Sequence, residues 1–99
     1  MNKLTPVIVT TTTQILMLAW TTKDLIKNTI KYGYTYFFSR KHNKIWIKGE
    51  KSSNFQLINK VLIDCDQDTY IYVVTQINNI SCHTGSKSCF TEINDNKHL

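Results

Sequence analysis

A single segment of this chain has the pattern of an α-helix, and the residues after it have the pattern of β-strands. Thr21 or Thr22 can cap the helix, and Asp24 lies in the first turn, where the macrodipole favours a carboxylate. Gly33 stands where such a helix would end. The predicted apolar face consists of Leu25, Ile26, Thr29 and Ile30. With one main helix among many strands, the predicted class is α+β with a mostly antiparallel β-sheet.

Six extended runs accompany this helix. Two precede it, joined by a threonine-rich turn, and four follow it. The predicted runs cover residues 6–10, 14–20, 34–39, 44–48, 54–63 and 69–76. The remainder, 77–99, is irregular by pattern, and 94–99 is expected to be a frayed tail. Because 99 residues suit one small core, we expect a single domain over 1–99.

Composition excludes several classes of protein. Apolar residues make up 41% of the chain and charged residues 19%, which is not a disordered composition. The longest apolar run, 15–20, is too short to cross a membrane, and no secretory leader is visible, so a cytoplasmic protein is expected. The net charge of +5 comes from lysines scattered along the chain. A phosphate-rich small molecule would suit this charge as well as RNA would, and of the two we expect the small molecule, with neither nucleic acid nor membrane as a partner.

The densest group of chemistry-bearing residues is Asp64-Cys65-Asp66-Gln67-Asp68. In an extended segment, the three carboxylates would face one side and the thiol of Cys65 the other. Three like charges on one face are costly unless a cation lies between them, and carboxylate oxygens suit Mg²⁺ or Ca²⁺. The same pattern also fits an exposed acidic turn between two strands, and both interpretations stay open.

The three cysteines form a second candidate site. Cys82 and Cys89 flank a glycine-containing turn, and Cys65 lies further back in the chain. Thiolates select zinc among the common cytosolic metals, and three protein ligands leave one tetrahedral position open, which is typical of a catalytic site. His83 directly follows a predicted ligand and is therefore a candidate general base. Free buried thiols and a surface imidazole are the alternatives.

A basic segment over residues 39–54 is the third feature, and it combines cations with small hydroxyls, a glycine and a tryptophan. Arg40 can hold a phosphate with two hydrogen bonds, and Lys48 can hold one as a point charge. Gly49 and the neighbouring serines add backbone and hydroxyl donors. The segment suits a nucleotide phosphate, although an ordinary solvated hairpin has the same pattern.

These stretches together resemble phosphoribosyl-AMP cyclohydrolase, the ring-opening enzyme of histidine biosynthesis. The resemblance extends from about Leu4 to Phe90 and depends on the order and spacing of several motifs. The motifs are Ile15-Leu16-Met17-Leu18-Ala19-Trp20, Phe38-Ser39-Arg40, Trp46-Ile47-Lys48-Gly49-Glu50, the aspartate segment, Cys82-His83-Thr84-Gly85 and Ser88-Cys89-Phe90.

The resemblance implies an intertwined homodimer that hydrolyses the adenine ring of phosphoribosyl-AMP, with His83 as base or proton shuttle. Zinc would be shared between subunits, held by Cys65 of one chain and by Cys82 and Cys89 of the other. The implied magnesium ligands are Asp64, Asp66 and Asp68. The implied substrate-binding residues are Arg40, Trp46, Lys48, Gly49, Glu50 and Ser52.

Two positions depart from the pattern of this family in a way that affects the backbone. Ser53 and Gln67 stand where the family commonly has glycine, which predicts strained loops at both places. Two other functions stay open at this point. One is a non-catalytic zinc-binding module that recognises nucleotides or RNA, and the other is an inactive relative that still dimerises.

Overall fold

A computed structural model describes residues 3–77 and 88–93 of the chain. These residues form one helix and six strands, each within two residues of its predicted position, so the α+β prediction is confirmed. The elements are β1 Thr5–Thr10, β2 Ile15–Thr21, α1 Lys23–Tyr32, β3 Tyr36–Ser39, β4 Lys44–Ile47, β5 Gln56–Ile63 and β6 Tyr70–Gln76. Within the described residues, no helix has the length and apolar character needed to span a membrane.

Helix α1 begins and ends at the predicted capping residues. The N-cap is Thr22, whose side chain accepts a hydrogen bond from the backbone N–H of Leu25. The C-cap is Gly33, with φ of 87°, and its N–H donates to the carbonyl of Thr29. The prediction that Ile30 belongs to the buried face is wrong, because this side chain is 62% exposed. It lies about 140° around the helix from Leu25 and so misses the contact with the sheet.

Four strands form one sheet in the order β2-β1-β6-β5. The outer pairs, β1 with β2 and β5 with β6, are antiparallel, whereas the central pair of β1 with β6 is parallel. Strands β3 and β4 form a separate antiparallel hairpin. The prediction of a mostly antiparallel sheet is therefore confirmed, with one parallel pairing at its centre, while the intertwined dimer stays a prediction.

Alternation along β1 decides which face of the sheet becomes the core. Val7 and Val9 are fully buried, whereas Ile8 between them is half-buried on the other face. The core side receives α1 and the β3–β4 hairpin, whose Phe37 stacks on Trp46 with ring centroids 4.7 Å apart. Burial of each such side chain contributes about 1.5–3 kcal/mol, so this one face supplies most of the hydrophobic stabilisation.

Buried hydroxyl groups join helix α1 to the sheet by hydrogen bonds. The hydroxyl of Tyr72 lies 3.1 Å from Oγ1 of Thr21, accepts from Oγ1 of Thr29 at 3.3 Å and donates to the carbonyl of Tyr36 at 3.2 Å. Burial raises the pKa of the Tyr72 phenol, and its hydrogen bonds with the two threonines offset part of this effect. The phenol therefore stays neutral and acts as a structural hydrogen-bonding group.

Candidate functional site

The β3–β4 hairpin and the loop after it enclose a groove of about 470 Å³, a size typical of small-molecule sites. Five of the six residues assigned to substrate line it, namely Trp46, Lys48, Gly49, Glu50 and Ser52. The remaining lining residues are Ser39, His42, Lys44, Ile47 and Lys51. Three lysines thus face one carboxylate, and the groove favours an anionic ligand.

The loop beneath this groove turns at Gly49. Its φ is 98°, and a Cβ atom there would lie 2.5 Å from the backbone nitrogen of Phe55, so no other residue fits without moving the chain. The carbonyl of Gly49 accepts a hydrogen bond of 2.7 Å from the N–H of Ser53. A carboxylate oxygen of Glu50 accepts from the N–H of Ile47 at 3.4 Å. Gly49 and Glu50 therefore shape the loop that carries Lys48 and Lys51.

Arg40, the sixth residue assigned to substrate, does not line the groove. Its guanidinium carbon lies 4.0 Å from the centroid of the Trp20 ring, which is cation–π geometry. This contact joins the tip of the β3–β4 hairpin to β2. The structure thus places Arg40 against Trp20 and outside the groove, and its role in substrate binding stays a prediction.

The structure also places in the groove three residues that were not among the predicted substrate-binding residues, namely His42, Lys44 and Lys51. His42 lies in the turn between β3 and β4, and its backbone N–H donates to Oγ of Ser39 at 3.1 Å. The hairpin register would have predicted the position of His42. Ser39 pairs with Lys44, so residues 40–43 form the turn next to the groove.

The segment of three aspartates is an exposed turn between β5 and β6, so of its two open interpretations the acidic turn has the correct conformation and the extended segment does not. The N–H of Asp64 donates to the carbonyl of Thr69 at 2.9 Å, and that of Gln67 donates to the carbonyl of Asp64 at 2.8 Å. The reason is that β5 and β6 pair antiparallel and the chain must reverse between them. Gln67 accordingly has a φ of 60°.

Because the chain reverses here, the side chains of Asp64, Cys65 and Asp66 lie close together. The carboxylates of Asp64 and Asp66 and the thiol of Cys65 offer atoms that all lie within 4.8 Å of one another, and all three residues are exposed. The expectation that Cys65 points away from the carboxylates is therefore wrong. Asp68 lies outside this cluster and accepts a hydrogen bond of 3.4 Å from the hydroxyl of Thr69. Two carboxylates and a thiolate form a donor set that fits a divalent cation.

Cys89 lies at the opposite edge of the sheet from Cys65. Its N–H donates to the carbonyl of Leu16 at 2.7 Å, and Oγ of Ser88 donates to the carbonyl of Ile15 at 2.8 Å, so this segment follows the outer edge of β2. Cys65 follows β5, the other outer strand, with β1 and β6 between.

The two cysteines of one chain cannot share an ion in this conformation. With strands spaced about 4.8 Å apart, their sulfurs are separated by more than about 10 Å. Two sulfurs on one zinc ion lie within about 4 Å of each other, given Zn–S bonds of about 2.3 Å. The other two residues predicted for this centre, Cys82 and His83, lie outside the described residues.

A sequence model of the family described as phosphoribosyl-AMP cyclohydrolase matches residues 17–91, a range that contains all three cysteines and all three aspartates of the candidate site. This chain belongs to the phosphoribosyl-AMP cyclohydrolase family. The resemblance inferred from the motifs is thereby confirmed.

Individual relatives agree with this assignment. The phosphoribosyl-AMP cyclohydrolase of Methanospirillum hungatei JF-1 is 45% identical over 80 residues, covering 81% of this chain and 60% of the relative. That of Desulfotalea psychrophila is 44% identical over 77 residues, covering 78% and 61%. The histidine biosynthesis bifunctional protein HisIE of Lactococcus lactis is 48% identical over 91 residues, covering 90% and 42%. The chain thus spans about three fifths of the first two relatives.

Proposed function

We propose that this chain catalyses the hydrolytic opening of the adenine ring of phosphoribosyl-AMP in histidine biosynthesis, in line with its family and with the relatives that are named phosphoribosyl-AMP cyclohydrolase. The observation that carries the proposal is the groove of about 470 Å³ at the motif residues of the β3–β4 hairpin. Its three lysines and single carboxylate suit the phosphates of a nucleotide, and its volume suits a small molecule.

Different residues of the groove would bind different parts of the substrate. Lys44, Lys48 and Lys51 supply positive charge for the phosphate groups, and Ser52 supplies a hydroxyl. Trp46 is held by its stack on Phe37, so it offers a fixed aromatic surface to a base or ribose. The chain would in this way fix one of the two phosphate-bearing ends of the substrate, with the base or a ribose against Trp46.

We propose that Cys65, Cys82 and Cys89 hold zinc, with Cys65 coming from one subunit and the other two from its partner in a homodimer. The separation of Cys65 and Cys89 across the sheet supports this arrangement, because a second copy of the chain can supply the missing sulfur. Zinc, when bound, supplies the Lewis acidity that makes water nucleophilic at neutral pH. His83 would accept the proton of that water and deliver a proton to the ring nitrogen as its bond to carbon breaks.

We propose further that Asp64, Asp66 and Asp68 hold magnesium. What supports this is the closeness of the first two carboxylates, whose mutual repulsion a divalent cation would remove. Cys65 lies in the same cluster, so the two metal positions would adjoin. The exposed thiol of Cys65 also supports a reducing compartment, and we therefore propose the cytoplasm as the location.

The test is an assay of the purified protein, loaded with zinc and magnesium, with phosphoribosyl-AMP as substrate and product absorbance as readout. We expect turnover, and we expect Lys44→Ala and Lys51→Ala to raise KM about 10-fold each with less effect on kcat, since they remove charge from the groove. The matched control is Lys27→Ala, which removes an exposed lysine from α1. Absence of turnover with both metals bound would contradict the proposal and favour an inactive relative.

A further inference from the structure

His42 is an exposed histidine that lines the groove of the β3–β4 hairpin. Histidine is the residue type that changes its charge between about pH 5 and about pH 8, whereas lysine stays positive and glutamate stays negative over this range. The charged residues that line the groove with it are Lys44, Lys48, Lys51 and Glu50. Among the described residues of the groove, His42 is therefore the one whose residue type can change its charge near neutral pH.

The turn that carries His42 is fixed by contacts at both of its ends. Ser39 pairs with Lys44 in the hairpin register, and Oγ of Ser39 accepts a hydrogen bond of 3.1 Å from the N–H of His42. At the start of the turn, the guanidinium of Arg40 lies 4.0 Å from the centroid of the Trp20 ring, which joins the turn to β2. The backbone of His42 is thus held beside the groove before a ligand enters, and little conformational entropy is lost when its imidazole binds.

The imidazole adds a different kind of group to a site that is already cationic. Its N–H donates a hydrogen bond in the neutral form, and both ring nitrogens donate when it is protonated. A phosphomonoester brings up to two negative charges, which favour a positive charge on a side chain beside it. Binding of phosphate in the groove and binding of a proton at His42 would therefore strengthen each other by the same factor.

The other charged side chains near this turn do not change their charge near neutral pH. Arg40 and Lys41 precede His42 in the turn, Lys44 begins β4, and Ser39 at the end of β3 is uncharged. The loop after β4 contributes two lysines against one glutamate. Any dependence of phosphate binding on pH in this range would then come from the ligand itself or from His42, and a substitution of His42 separates the two.

We propose that His42 is a phosphate-binding residue of the groove, and that its protonation makes the groove bind phosphomonoesters more tightly as the pH falls from about 8 to about 6. This inference rests on the proposed function, in which the groove holds one phosphate-bearing end of the substrate. It adds to that function a residue that determines affinity and a dependence on pH.

The experiment measures the Kd of ribose 5-phosphate by calorimetry for the unaltered chain, His42→Gln and His42→Arg. Glutamine keeps a hydrogen-bond donor without a charge, and arginine keeps a charge at every pH of the measurement. We expect the Kd of His42→Gln, relative to that of the unaltered chain, to rise from about 2-fold at about pH 8 to about 10-fold at about pH 6. The ionisation of the ligand cancels in this ratio. His42→Arg should bind at least as tightly as the unaltered chain at about pH 8, because it carries the charge there.

The matched control is Lys41→Gln, which removes a charge from the preceding position of the turn, outside the lining of the groove. It should change the Kd by less than about 2-fold and equally at each pH, because an exposed charge that does not contact the ligand is screened and lysine does not titrate here. In the turnover assay, His42→Gln should raise KM with the same dependence on pH and change kcat by less than about 2-fold, because a phosphate contact is equal in the ground and transition states.

Circular dichroism checks that the variants fold, and both substitutions keep the backbone N–H that donates to Ser39. A Kd ratio that does not change with pH would overturn the inference. Weak binding by both His42→Gln and His42→Arg at about pH 8 would also overturn it, since it would indicate a role in the shape of the turn. Binding of ribose 5-phosphate with the expected dependence on pH, without turnover of phosphoribosyl-AMP, would uphold the role of His42 and overturn the reaction. Turnover that is the same in His42→Gln at each pH would do the reverse.

Discussion

Two residues of this chain adopt a backbone conformation that favours glycine. Gln67 has a φ of 60° in the acidic turn and Ser53 has a φ of 63° in the loop of the groove, as their positions opposite family glycines predict. A residue with a Cβ atom in this region costs about 1–2 kcal/mol. Glycine removes that cost but loses about 0.5–1 kcal/mol more backbone entropy on folding. We therefore expect Gln67→Gly to stabilise the fold by about 0.5–1 kcal/mol.

The assay is thermal and urea unfolding of metal-free protein at one fixed concentration, so that metal binding does not contribute to the measured stability and all variants are compared under the same conditions of association. For a chain of this length, the expected gain corresponds to a rise in Tm of about 2–8 °C. Ser53→Gly should give a similar gain, and the double variant should give the sum because the two loops are separate.

The control that isolates the backbone is Gln67→Ala. This change removes the rest of the side chain but keeps the Cβ atom, so the strain remains and we expect no gain in stability. A second comparison is Asn43→Gly, at a position with φ of 51°. Asparagine tolerates this region better than glutamine does, so the gain should be smaller. Equal stabilities of Gln67→Gly and Gln67→Ala would refute the reasoning.

Three further predictions follow from the same contacts. Gly49→Ala should lower the free energy of unfolding in urea by more than about 2 kcal/mol, because the added Cβ atom would lie 2.5 Å from a backbone nitrogen. Gly33→Ala should lower it by about 1 kcal/mol, because the space around Gly33 is open and only the backbone conformation is strained. Tyr72→Phe should lower the free energy of unfolding by about 1–3 kcal/mol. Above pH 10.0 the unaltered chain should lose stability, because its phenol has a raised pKa in the fold and ionises more readily in the unfolded chain, and the phenylalanine variant should not show this loss. Mixing Cys65→Ser chains with Cys89→Ser chains should restore about a quarter of the zinc sites through mixed dimers, and no recovery would contradict a shared site.

The strands and the helix were predictable from sequence because their signals are local. Alternation in β1 and the caps of α1 at Thr22 and Gly33 depend on neighbouring residues alone. The position of Arg40 against Trp20 could not be predicted, because this contact is tertiary and nothing in the hairpin sequence encodes it. The sequence left the acidic segment open between an extended segment and a turn, because its reversal follows from the pairing of β5 with β6, which is also a tertiary property.

The charges of the candidate site constrain how a nucleotide with phosphate groups can lie in it. The groove carries three lysines against Glu50, whereas the acidic turn carries Asp64 and Asp66. A phosphate charge placed 4 Å from one of these carboxylates would be repelled by about 1 kcal/mol in water and about 4 kcal/mol at an effective dielectric constant of 20. The same phosphate beside the lysines gains energy of similar size. For the proposed substrate, the charge pattern therefore favours an orientation with phosphate at the groove, and a cation held at the acidic turn would remove the repulsion that remains.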